Sequence, residues 1–176
     1  LEPGKSVIVT ETKSPDGFVM DTTPQTIVIQ AGKVVSLTFK NAPKGKLIIE
    51  KRDADTNELL PGAEFEIRKA DGTEVGTNGN VGIGGSGTIT SDSLFVTGDD
   101  GKVEIVGLEP GIYTLTEKKP PNGHLIGDNP TRTIQITAGD VQTIVFKNPK
   151  DDSSLIIQKL DSVTKKPVAG AVFKIT

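Results

Sequence analysis

The chain has 176 residues, no cysteine and a formal net charge of −3 with both signs interspersed. That excludes a disulfide staple and a thiolate metal site, and it leaves no basic patch for a nucleic-acid partner. Trp is absent and aromatics are sparse, against a sugar-stacking platform. No apolar run approaches the ~20 residues of a membrane span, so no membrane insertion is expected, and no signal peptide opens the chain. Val, Ile and Thr runs punctuated by 20 Gly and 11 Pro mark an all-β chain of one domain or two small ones.

Taken in order, the chain repeats itself. Leu1-Glu2-Pro3-Gly4 returns as Leu108-Glu109-Pro110-Gly111. Ser14-Pro15-Asp16-Gly17 matches Pro120-Pro121-Asn122-Gly123, and Thr38-Phe39-Lys40-Asn41 matches Val145-Phe146-Lys147-Asn148. Farther on, Leu47-Ile48-Ile49-Glu50-Lys51 returns as Leu155-Ile156-Ile157-Gln158-Lys159. The period of about 107 residues is that of a domain and not of a solenoid unit. Three pieces are therefore expected: residues 1–45 as the back end of one copy, 46–149 as a whole copy, and 150–176 as the front end of a third. The chain reads as a window on something longer, with short polar joints between the pieces.

Within the whole copy, strands are predicted near 46–52, 63–69, 93–97, 102–106, 112–118, 131–137 and 141–148. Asp99-Asp100-Gly101 reads as a hairpin turn. The stretch from Gly76 to Gly87 is too glycine-rich for a regular strand and is expected to be a surface loop. Seven short strands with turn signals between them predict an antiparallel sandwich.

Period-two alternation gives each strand a face. Leu47 and Ile49 share theirs with Lys51; Tyr113 and Leu115 with Glu117; Ile144 and Phe146 with Asn148. The partial copies repeat the pattern at Glu11, Asn41 and Lys159. One polar residue at a strand end is ordinary, and a lone lysine snorkels to water. Three in phase, recurring, place an amine, a carboxyl and a carboxamide at the edge of one core. Burial pushes Lys51 toward the nucleophilic neutral amine and Glu117 toward a neutral acid that polarises an amide carbonyl and shuttles a proton. Asn148 offers an electrophilic carbon with ammonia as leaving group. A Lys51–Asn148 isopeptide bond, with Glu117 as its acid/base, is the expected product.

Lys51-Arg52-Asp53 after an apolar strand, Leu60-Pro61-Gly62-Ala63-Glu64-Phe65, Gly107-Leu108-Glu109-Pro110-Gly111-Ile112-Tyr113 with Glu117, and Phe146-Lys147-Asn148 stand in this order. The set resembles the Cna B-type (SpaA-like pilin) domain of Gram-positive surface proteins, over the whole chain in its three pieces. The resemblance implies an immunoglobulin-like sandwich with a self-made Lys–Asn or Lys–Asp cross-link assisted by Glu, used as a stalk module of pili and adhesins. It puts those roles on Lys51, Asn148 and Glu117. Glu11 and Asn41 would serve the first copy, with its lysine upstream, and Lys159 the third. His124 stands where the family usually has Tyr, and no Leu-Pro-x-Thr-Gly sorting signal or pilin lysine motif occurs.

Other patterns lead elsewhere. Gly82-Ile83-Gly84-Gly85-Ser86-Gly87 spells GxGxxG without a βαβ context. Asp53, Asp55, Asn57 and Glu64 match calcium-loop positions, but Glu58 stands where Gly is needed, so a turn is expected. His124 has no second His or Cys and is expected to sit at the surface or pack. No cofactor or metal is expected, and no turnover enzyme. The reading is an extracellular, cell-wall-anchored stalk module whose partners are adjacent repeats of its own chain. The alternative is an adhesin contacting a host glycan or matrix protein through the loop at 76–93. Head-to-tail self-assembly, bringing Lys159 to Glu11 and Asn41, is a further expectation.

Overall fold

The computed structural model describes residues 1–76, 81–152 and 154–175. Among these it holds eleven strands and no helix. In the first piece, β1 (Ser6–Val9) pairs antiparallel with β2 (Gln25–Val28). The rest of the strands build two sheets. One takes β4 (Glu64–Lys69), β6 (Thr88–Ile89), β7 (Phe95–Val96), β9 (Gly111–Lys119) and β10 (Thr131–Ile136), in the order β10-β9-β4-β7-β6. The other takes β3 (Gly45–Asp53), β5 (Gly82–Gly84), β8 (Lys102–Leu108) and β11 (Val141–Asn148), in the order β11-β3-β8-β5.

The architecture is an all-β, immunoglobulin-like sandwich. Its strands read as they do because β-branched residues alternate with polar ones, so one face is apolar. Leu47, Ile49, Val103 and Ile105 face inward from the four-stranded sheet. Phe65, Ile67, Tyr113 and Leu115 meet them from the other sheet. Phe65 and Phe146 touch across the gap, ring centroids 4.9 Å apart. Each such buried side chain contributes about 1.5–3 kcal/mol relative to exposure.

Four details depart from the sequence reading. Every ladder is antiparallel except that of β3 with β11, which is parallel, with Lys51 beside Phe146 and Asp53 beside Asn148. The turn at Asp99–Gly101 is closed by the Gly101 N–H on the Gly98 carbonyl (2.8 Å), yet it joins no hairpin. It carries the chain from β7 in one sheet to β8 in the other. Strand 93–97 shrinks to Phe95–Val96 because Ser93 is left-handed, with φ 60°.

The glycine-rich stretch is the fourth departure. Residues 77–80 lie outside the described residues, but β5 adds an edge to the four-stranded sheet and β6 an edge to the five-stranded one. Gly87, between them, lies against β8: a Cβ there would stand 2.7 Å from Val103 Cβ and 2.8 Å from its Cα. The glycine permits close approach of two backbones rather than looseness. Gly87→Ala is expected to lower stability by about 1–3 kcal/mol, the usual cost of overpacking. Urea denaturation of the variant measures this, and a neutral result would mean that the edge yields freely.

Candidate functional site: a buried amine, carboxyl and carboxamide

The inward rows of three strands each end in a polar side chain, and all three are sealed. Lys51 and Asn148 are 0% exposed and Glu117 is 3%. Lys51 lies near the C-terminal end of β3 and Asn148 closes β11. The parallel pairing of these strands brings both C-terminal ends to one pole of the sandwich. Glu117 reaches the same pole from β9 in the opposite sheet, where it is paired beside Phe65 of β4.

Asn148 Nδ2 donates to Glu117 Oε1 at 2.7 Å, and Lys51 Nζ lies 3.9 Å from the same oxygen. Lys51 Nζ also donates to the carbonyls of Phe146 (3.3 Å) and Arg52 (3.4 Å). Burial pulls the Lys51 ammonium down to about 8, against the opposing pull of the Glu117 and Asp53 charges. Burial also pushes the Glu117 carboxyl up, partly offset by Lys51 and by the bond from Asn148. Both shifts narrow the gap between the two groups and so lower the cost of passing a proton from the amine to the carboxyl. Glu117 is placed at the amide nitrogen of Asn148, whereas the sequence reading set it at the carbonyl oxygen.

Asp53 is a member of this pole that the sequence reading placed only in a turn. It is 1% exposed and continues the inward row of Leu47, Ile49 and Lys51, a signal that period two alone carries. Its Oδ1 accepts the N–H groups of Asp55 (2.8 Å) and Thr56 (2.8 Å), closing the turn after β3. Its Oδ2 lies 3.0 Å from His124 Nε2. The turn N–H bonds and His124 hold its carboxyl well below the usual range. This contribution to stability is present at neutral pH and is lost as pH falls through the folded-state value. His124 therefore packs, as expected, and it also ties the loop after β9 to the end of β3.

In the first piece, Asn41 Nδ2 donates to Glu11 Oε2 at 2.7 Å and Oε1 at 2.9 Å, and to the Val19 carbonyl at 2.9 Å. Both side chains are half-buried. Lys159 is exposed; its carbonyl accepts the Val168 N–H. The structure does not bring it to Asn41. Among the described residues no group of three or more His, Cys, Asp or Glu is arranged to hold a metal ion.

The fold and this pole define a structural β-sandwich module with a polar cluster built into its core. The chain belongs to the SpaA prealbumin-like fold domain family, whose model matches residues 1–43 and 45–150. The family is structural and not enzymatic. Among solved structures, the TIE protein of Bacillus anthracis is 28% identical with a TM-score of 0.52, over 83% of this chain and 25% of that one. A group B streptococcus pilus 2b backbone protein is 24% identical with a TM-score of 0.50, over 86% of this chain and 53% of that one. GBS52, a minor pilin of Streptococcus agalactiae, is 20% identical with a TM-score of 0.51, over 90% of this chain and 65% of that one. The chain thus spans from a quarter to about two thirds of the length of these structures. No curated protein matches it.

Proposed function

We propose that this chain is a stalk or spacer segment of a Gram-positive surface fibre or adhesin, made rigid by an isopeptide bond that it forms between Lys51 and Asn148. The observation that carries the reading is the sealed trio: one carboxyl oxygen 2.7 Å from the amide nitrogen of Asn148 and 3.9 Å from the amine of Lys51. Family membership supports the structural role and the extracellular setting. Two solved structures that share the fold are a pilus backbone protein and a minor pilin.

The reaction balances as follows. Glu117 takes a proton from Lys51, whose neutral Nζ attacks Asn148 Cγ. The new C–N bond forms, the Cγ–Nδ2 bond breaks, Nδ2 leaves as ammonia with the proton that Glu117 returns, and the second Nζ proton passes to the Glu117 carboxylate, leaving a neutral amide. Groups held in contact react at effective concentrations of about 10⁵–10⁸ M. A pocket lined by Glu117, Gly127, Arg132, Phe146 and Lys147 adjoins the carboxyl and gives ammonia a way out. Intact mass tests the reading: the folded chain is expected to be one ammonia lighter than its sequence for each bond formed. An unshifted mass would overturn it.

The pH dependence follows from the shared proton. The working pair carries one proton, on Glu117. A second proton turns Lys51 into the inert ammonium; loss of the first leaves no acid for the departing ammonia. Linking is expected to be fastest between the two titrations and to slow above about 8, where the pair empties. Mass measured against time after folding, at a series of pH values, gives the profile. A rate that keeps climbing well above that value would remove Glu117 from the proton path.

The three-piece organisation, 1–45, 46–149 and 150–176, is part of this proposal, and repeated hydrogen bonds support it. The turn of Lys51, Asp53 and Asn57 is matched by that of Lys159, Asp161 and Lys165, down to left-handed φ values of 63° and 58°. Val19 N–H donates to the Ala42 carbonyl as Leu125 N–H does to that of Pro149. In such an array Glu11 and Asn41 await a lysine on another strand, and Lys159 awaits its own Glu and Asn. Neighbouring repeats, or a second molecule head to tail, are the partners. The host-ligand alternative through 76–93 is weaker, because β5 and β6 tie that segment to both sheets.

A further inference from the structure

We propose that the backbone N–H of Gly127 is the oxyanion donor of the linking reaction, resting on the cross-link reading above. Attack on Asn148 Cγ moves negative charge onto Oδ1. In a sealed core that charge is costly unless a donor already points at it. Gly127 N–H donates to Asn148 Oδ1 at 3.1 Å. Because a backbone N–H only donates, this contact fixes the orientation of the carboxamide: the atom beside Gly127 is the oxygen, and the nitrogen faces Glu117. The division of labour follows. Glu117 serves the amine and the leaving nitrogen; Gly127 serves the oxygen.

The residue type fits the task. A Cβ on Gly127 would stand 2.5 Å from the Lys147 carbonyl oxygen and 3.4 Å from Asn148 Oδ1. Only glycine lets this loop lie so close against the end of β11. The loop is fastened on both sides of the donor. Leu125 N–H bonds the Pro149 carbonyl at 3.0 Å, and Glu117 N–H bonds that of Pro130 at 2.8 Å. His124 ties it to Asp53. The donor is therefore held in place before reaction, which is where electrostatic stabilisation gains its effect.

The first piece offers an internal comparison. Counting from the matched turn glycines, Gly17 and Gly123, the counterpart of Gly127 is Asp21. Its N–H donates to Glu11 Oε2 at 2.6 Å. In that piece the loop amide serves the carboxylate, and Asn41 is held by Glu11 and Val19 through its nitrogen. The amide-on-carbonyl arrangement accompanies the copy that has its lysine strand.

The test is a chain assembled by chemical ligation in denaturant, with the Gly127 amide replaced by an ester, then folded by dilution and followed by intact mass. Assays run below the melting temperature of the ester chain, measured with Glu117→Gln so that no bond contributes. The all-amide chain is expected to lose ammonia promptly, and the ester chain about 10²–10³-fold more slowly, the usual loss for one oxyanion donor. Equal rates would overturn the donor role while leaving the cross-link intact. No ammonia loss from the all-amide chain would overturn the cross-link itself, and the donor role with it.

Discussion

Glu117→Gln is expected to give a folded protein that keeps the full, unlinked mass under conditions where the wild type has lost ammonia. The substitution preserves shape, and its amide oxygen still accepts from Asn148 Nδ2, which now donates at 2.7 Å. Two consequences oppose each other. Without the carboxylate, Lys51 loses its largest upward pull and becomes more neutral, a gain in nucleophile. With its pKa already at about 8, roughly a tenth of Lys51 is neutral at pH 7, so this gain is capped at about tenfold. Loss of the proton carrier costs about 10²–10⁴-fold. The loss outweighs the gain, and linking slows by about 10–10³-fold. Lys51→Ala and Asn148→Ala remove reacting atoms and block it outright. If Glu117→Gln linked as fast as the wild type, Lys51 would be losing its proton by another route.

Lys51→Met is expected to melt below the proposed linked wild type by up to roughly 20–40 °C. Methionine keeps the unbranched stem in the core and removes the nucleophile. What is lost is a covalent tie closing a loop of about 100 residues, which on the chain-entropy argument developed for disulfides is worth up to about 4.7 kcal/mol. For a domain of this size each kcal/mol moves the midpoint by about 4–8 °C. A second readout separates this cause from altered packing. Cross-linked chains stay more compact when unfolded, so the urea m-value should rise in the variant. A lower melting temperature with unchanged m would point to lost contacts instead. The tie also matters mechanically. Lys51 and Asn148 stand near the start and the end of the proposed whole copy, so with the proposed bond in place pulling force would pass through it and largely bypass the sheets.

How much of this was written in the sequence is seen best at single residues. Alternation placed Lys51, Glu117 and Asn148 on inward faces, because the side-chain period of a strand is fixed by its backbone and needs no partner. The repeated turns were equally legible, since Pro, Asn and Gly prescribe local geometry. The glycine-rich run was not. Glycine gives the same letter to a loose loop and to a backbone pressed against a neighbour. Gly87 against Val103 is the second kind, and only the facing strand reveals it.

Asp53 and His124 show the same limit. Each letter had a local reading, a turn and a packing residue, and their 3.0 Å contact joins positions far apart in the chain. The sequence by itself determined which side chains point inward and that they are an amine, a carboxyl and a carboxamide. Which end of the sandwich each one occupies was decided by the tertiary structure. The parallel ladder of β3 with β11 puts Lys51 and Asn148 at one pole; an antiparallel ladder of the same two strands would have put them at opposite ends. The loop that lays Gly127 on Asn148 Oδ1 likewise settles which atom of the carboxamide faces Glu117. Faces follow from a strand's own geometry, whereas poles and orientations follow from what the strand is paired with.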